Sequence, residues 1–217
     1  MAFRTLFIAA ILMATGCNRD GSGTKAPAAA TAAAQPSEGA ELKGRAVSVN
    51  RRRAIQIRDM LAKALTLHPQ ALCLELGKLP CADVVHRVSL GGVNAYANSQ
   101  YKTTDDISIT APISFDRIVL SACLQRAQID LSNTKIGVIY KDVSLTPDGR
   151  LVDDEAINSS IDNLYKRALT RLPTDTERQA VRDLYKDIYA KEPVGAARNW
   201  MVLACYSVLT SAEAAFY

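Results

Sequence analysis

Two histidines and two cysteines stand in a symmetric run, His68-x4-Cys73-x7-Cys81-x4-His86. Thiolate and imidazole are both zinc ligands, and four of them complete a tetrahedron. Structural zinc sites usually place paired ligands within a few residues of each other, and this run has no such pair. A second chemistry open to the run is a disulfide between Cys73 and Cys81. It would bracket ELGKLP, whose Gly77 and Pro80 suit a turn. A third is a cysteine nucleophile, Cys81, with His86 as base and Asp83 behind it. Three residues of one short segment rarely reach that geometry. The disulfide is the leading expectation, with no metal bound. A metal site or enzyme built on His68, Cys73, Cys81 and His86 is the alternative.

The stretch SLTPDGRLVDDE, residues 144–155, matches the second half of an EF-hand loop. Asp148, Gly149, Leu151 and Glu155 fall at loop positions 5, 6, 8 and 12. The first position needs a carboxylate and holds Ser144, so a turn leading into an acidic helix start is the plainer reading. Arg51, Arg52 and Arg53 form a basic cluster with Lys43, Arg45, Arg58 and Lys63. Such a cluster suits a solvated face, anionic head groups or an acidic envelope polymer. Nucleic acid is not expected, because no aromatics interleave the basic residues. The sequence has no GxSxG, HExxH, Walker loop, dinucleotide fingerprint or CxxCH. Neither a cofactor nor an enzymatic activity is therefore the first expectation.

The compartment decides which sulfur chemistry applies. Arg4 precedes an apolar run, Leu6 to Ala14, far short of the roughly 20 residues of a spanning helix. Such a run behind a positive charge reads as an export signal. Ala14-Thr15-Gly16-Cys17 resembles a bacterial lipobox, in which a peptidase cuts before a diacylglyceryl-cysteine. It departs from the pattern three residues before the cysteine, where Ala14 replaces leucine. The same small residues would suit an ordinary signal peptidase, and an uncleaved segment is the third possibility. Of the five cysteines, lipidation of Cys17 leaves Cys73, Cys81, Cys123 and Cys205. These four can close two disulfides in an oxidising compartment. Three pairings are open; the favoured one joins Cys73 to Cys81 and Cys123 to Cys205, with four buried thiols as the alternative.

The expected organisation is a signal peptide over 1–16, a flexible lipidated tether over 17–44 and one domain over 45–217. The tether is rich in Ala, Gly, Ser, Pro and Thr and cannot bury enough surface to offset its ordering entropy. As a coil it spans about 25–30 Å. The net charge of +4 is mild and demands no polyanion.

The fold class expected is mainly α: a helical, bundle-like single domain with a small β-hairpin or irregular insert, stapled by disulfides. Apolar spacing predicts a helix within 47–66 through Ile55, Met60, Leu61 and Leu65. HPQALCLELG reads as a short helix from Pro69 to Gly77. CADVVHRVSL suits a helix or a strand, ISIT a strand within a long loop, and IGVIYKDVSL a strand before a turn. Ser114 is the expected N-cap of a helix through Leu131. Asp153 caps a helix with Ile157, Ile161, Leu164, Ala168 and Leu172 on one face. Thr174 and Glu177 form a capping box. The helix they open carries Val181, Leu184, Tyr185 and Ile188. The apolar last helix, with Trp200, is expected to be buried.

Residues 165–217 carry Tyr165-x-Arg167-Ala168-Leu169-x-Arg171-x-Pro173-Thr174-x-x-Glu177, then Trp200-x-x-Leu203-x-Cys205, Ser211-x-Glu213 and Phe216-Tyr217. This is similar to a helical segment of uncharacterised secreted bacterial proteins, some of which carry cytochrome c modules. Ala214 stands where that pattern has Phe. The resemblance implies an extracytoplasmic helical domain and, as one alternative, an accessory subunit of a redox complex. It supplies no active-site residue. The leading functional expectation is a membrane-tethered envelope lipoprotein, acting as a structural or interaction module. It would meet the membrane through lipid on Cys17 and reach an envelope protein or polymer. Asn18 after the cysteine, in place of an aspartate, points to the outer rather than the inner membrane.

Overall fold

Small and apolar residues at helical spacing dictate the centre of this fold. In the computed structural model, residues 50–94, 96, 101–103, 108–141, 143–146, 149–152 and 154–216 are described. The leader, Cys17, the tether, Lys43 and Arg45 lie outside them. Val47–Tyr217 makes up one compact unit. Its helices are α1 (Ala54–Leu65), α2 (Ala111–Ser132), α3 (Asp154–Leu169), α4 (Asp175–Lys191), α5 (Ala196–Leu209) and a short α6 (Ala212–Ala215). Strands β1 (Leu74–Glu75) and β2 (Leu79–Pro80) form an antiparallel hairpin. The chain is mainly helical with a small hairpin, which is the fold class expected.

Helix α5 is the hub and packs against α2, α3, α4 and α6. It buries Ala196, Ala197, Trp200, Met201, Ala204, Cys205, Val208 and Leu209. The small residues let neighbouring backbones approach, and the large ones fill the space between them. Trp200 is fully buried. Its indole Nε1–H donates to the Val181 carbonyl at 2.8 Å, joining α5 to α4. Tyr140 and Tyr185 meet its ring edge-on. α2 buries Phe115, Ile118, Val119, Ala122, Cys123 and Ala127 at spacings of three, one and four. α1 lies against α2 and α3. Its C-terminal carbonyls, which lack intrahelical partners, accept from Arg167: Nε to Ala64 O at 2.6 Å and Nη2 to Lys63 O at 3.2 Å.

Several local expectations need correction. Ser114 is not an N-cap. α2 starts a turn earlier, with Pro112 in its first turn where a missing N–H costs nothing. Ser114 is buried, its Oγ 3.0 Å from Ser89 Oγ. The segment 69–77 is no single helix. A 3₁₀ turn, Pro69–Ala71, gives way to β1, because Leu76 and Gly77 both take positive φ and fold the chain back. Cys81–Val85 is a single π-helical turn. Of ISIT, Ser108–Thr110 is turn leading into α2. Residues 136–141 have strand composition but no strand partner; the N–H groups of Val138, Ile139 and Tyr140 donate instead to the Asp130 carboxylate. Ile55 and Leu172 are exposed, and α3 ends at Leu169. Asp153 lies outside the described residues.

Candidate functional site

The symmetric His/Cys run does not converge as four ligands. The Cys73 and Cys81 sulfurs face each other at disulfide distance, with Cα atoms 5.4 Å apart. His68 stays at the 3₁₀ turn, where its Nδ1 accepts from the Gln70 N–H at 3.4 Å. Among the described residues the group with metal-ligand spacing is Cys73, Glu75 and Cys81. Sulfurs joined to each other offer no thiolate to a metal or a substrate. The Cys81/Asp83/His86 arrangement is not assembled either, because Asp83 Oδ1 accepts from Arg58 Nη1 at 2.7 Å.

The geometry brings in two residues that spacing alone did not single out. Glu75, on β1, is gripped by the Arg117 fork from α2, Nε to Oε1 at 2.8 Å and Nη2 to Oε2 at 2.9 Å. His86 Nε2 stands 3.5 Å from Glu75 Oε1. The hairpin is thus held at its base by a disulfide and an ion pair. What it presents outward is aliphatic: Leu74, Leu76 and Leu79, followed by Val84 and Val85 in the π turn, are all exposed. Leu76, at the tip, is 89% exposed with φ +52°.

Of the basic cluster beside α1, Arg51, Arg52 and Arg58 are engaged within the protein. Arg52 N–H donates to Ala215 O at 3.0 Å, and its Nε donates to Ala214 O at 2.9 Å. Arg51 bridges to Phe216 in antiparallel fashion. Arg58 binds both Asp59 and Asp83. Arg51 and Arg52 thus bind the start of the domain to residues 214–216 at its end.

The EF-hand-like stretch takes another form. Ser144–Thr146 and Gly149–Val152 close on themselves, with Thr146 N–H donating to Arg150 O at 2.9 Å and Leu145 bridged to Leu151. Turn and bend, not helix, precede it at 138–141. Asp148 lies outside the described residues.

The conspicuous polar residues of the C-terminal segment meet in one place. Arg171 sits between Glu177 and Glu213, with contacts of 2.7–3.1 Å to both carboxylates, and its guanidinium lies 5.4 Å from the Tyr165 ring centroid. Glu177 also closes the capping box, accepting from Thr174 N–H at 2.7 Å. The cluster stands over a cleft of about 390 Å³ that Leu169, Val181, Leu184 and Val208 line from below. With one guanidinium shared between both carboxylates, it locks α6 to the α3–α4 corner. Burial is the chief cause that pushes the Tyr165 hydroxyl up. The Arg171 hydrogen bonds, then the Thr174 N–H, pull Glu177 from 4.5 down to about 2.

A carboxyl with a depressed native pKa stabilises the fold above its unfolded pKa and loses that contribution as pH falls through the folded value. The thermal unfolding midpoint of the wild type should therefore fall as pH drops from 4.5 to about 2. Glu177→Gln is expected to flatten that slope while lowering the midpoint at pH 7. An unchanged slope in Glu177→Gln would place the acid sensitivity elsewhere.

Comparison with protein-family models, curated proteins and solved structures finds no match to this chain.

Proposed function

We propose that this chain is a lipid-anchored protein of the bacterial cell envelope whose helical domain is a structural or interaction module. Residues 1–16 direct export and are removed. Cys17 carries the diacylglyceryl group, and residues 17–44 tether the domain to the membrane. The observation that supports this reading most is cysteine parity. Cys73 stands with Cys81, and Cys123 with Cys205, at disulfide distance. Cys17, directly after the leader, is the one cysteine of five outside these pairs. Two disulfides suit an oxidising compartment, and an odd cysteine there calls for its own chemistry.

An interaction role draws on the exposed aliphatic hairpin. Larger exposed apolar patches mark contact sites, and Leu74, Leu76, Leu79, Val84 and Val85 are all exposed within this short stretch. The internal pairing of Arg171, Glu177 and Glu213 likewise favours a fixed scaffold over a reactive centre.

Intact mass of the mature protein, with and without reduction, tests the reading. The expected species starts at Cys17, carries acyl groups and gains two hydrogens per disulfide on reduction. A species that retains residues 1–16 with an unmodified Cys17 would overturn it.

A further inference from the structure

We infer that the disulfide-closed hairpin dips into the head-group layer of an anionic bilayer. The inference deepens the reading above and rests on it for access to a membrane. Side chains alternate along a strand, so Leu74 and Pro80 lie on one face of the hairpin while Glu75 and Leu79 lie on the other. Leu76 occupies the tip. Apolar groups therefore project from both faces and the end. A flat protein partner would cover only one of those surfaces, whereas a fluid apolar medium surrounds all three.

Composition points the same way. Protein–protein hot spots are rich in Trp, Tyr and Arg and poor in Leu and Val. The exposed apolar residues of this projection are all leucines, with Val84 and Val85 exposed just behind it. Leu76 also holds a positive φ, a conformation for which glycine or asparagine is the usual choice. A tip selected for folding alone would not carry a leucine there.

The charges complement an anionic surface. Both acids at the base are held by arginine, Glu75 by Arg117 and Asp83 by Arg58, which Asp59 shares. Lys78 stands exposed in the turn between Leu76 and Leu79, where its long stem can follow the apolar groups while the ammonium stays at the head groups. The face of α2 that sends Arg117 to Glu75 also exposes Ile113 and Leu120. These extend the apolar footprint one helix further. Insertion of this kind reaches about 5–10 Å, to the boundary between head groups and acyl chains.

The test uses the full chain reconstituted into vesicles, with a tryptophan placed by Leu76→Trp and, as reference, by Thr176→Trp on α4. The native Trp200 is buried and common to both. On vesicles containing phosphatidylglycerol, the Leu76→Trp emission is expected to shift to the blue. Lipids with a nitroxide just below the head group should quench it about twofold or more. The Thr176→Trp emission should not change. Vesicles of phosphatidylcholine alone should give a weaker response. An aqueous spectrum on anionic vesicles overturns the inference, as does an equal response on both compositions. A blue shift without vesicles that grows with protein concentration also overturns it, because a second copy would then cover the hairpin. Intact mass of the same preparation separates the two ideas. Acylated protein with a solvent-exposed probe removes this inference alone; unacylated protein with an inserted probe removes only the lipid on Cys17.

Discussion

Asp130→Ala is expected to lower unfolding free energy by about 3–5 kcal/mol, the cost of removing one partner of a buried ion pair. Asp130 is fully buried on α2 and accepts from Arg126 at 2.6 Å. It also accepts from the N–H groups of Val138, Ile139 and Tyr140 at 2.9, 3.0 and 3.1 Å. One carboxylate thus satisfies three consecutive backbone donors that have no strand to pair with. Alanine would leave those three donors without an acceptor and the buried Arg126 guanidinium with only the Leu65 carbonyl, Nη1 to O at 3.3 Å. The loop they shape carries Tyr140, whose hydroxyl donates to the Met201 carbonyl on α5 and whose ring meets Trp200. Loosening it therefore reaches the hub helix. Arg126→Met should cost less, because Asp130 keeps its three backbone donors. Urea unfolding of the two variants gives the comparison. Domains of this size hold about 5–15 kcal/mol in all, so Asp130→Ala is expected to be partly unfolded at 37 °C. Equal losses in the two variants would mean that the ion pair, not the backbone cradle, dominates.

The same cradle explains where sequence reading stopped. Ile136 to Tyr140 has the β-branched and aromatic composition of a strand. The decisive partner, Asp130, lies on the preceding helix, and nothing in local composition marks a helical aspartate as a loop organiser. The helices were legible because their signals are local: apolar spacing for α3 and α4, and the capping box at Thr174 and Glu177. The first strand of the hairpin reads as the end of a helix because its apolar residues fit either period. Its turn depends on a leucine in a backbone region that leucine seldom occupies. Half of the candidate site was readable. Cysteines bracketing Gly77 and Pro80 suggest a closed turn from spacing alone. Glu75 with Arg117 and Arg171 with Glu213 are each separated by 42 residues, and such pairings follow only from how the helices stack. The quoted C-terminal motif read as caps and core; in the fold, three of its charged residues form a single clamp.

Removing the Cys123–Cys205 link should cost more than removing Cys73–Cys81, although the hairpin link is the one beside the proposed contact surface. Cys123 and Cys205 lie 82 residues apart in sequence and 5.8 Å apart between Cα atoms, joining α2 to the hub helix α5. A link across so long a loop removes much of the unfolded chain's freedom, worth about 4–5 kcal/mol in the chain-entropy treatment. Cys73 and Cys81 are 8 residues apart, and closing so short a loop is worth about 2–3 kcal/mol on the same basis. The paired change Cys123→Ala/Cys205→Ala is therefore expected to give the larger drop in denaturant midpoint. It should also steepen the transition, because the freed chain exposes more surface on unfolding. Alanine is the suitable replacement, since both positions are fully buried and a serine hydroxyl would need a partner there. Cys73→Ala/Cys81→Ala acts differently. The bundle keeps its core, while the strands of two residues each lose the covalent closure that holds the leucines outward. Amide exchange should accelerate in the hairpin and not in α2 or α5. Global destabilisation by the hairpin change equal to that of the helix link would mean that the hairpin is part of the folding core rather than a projection from it.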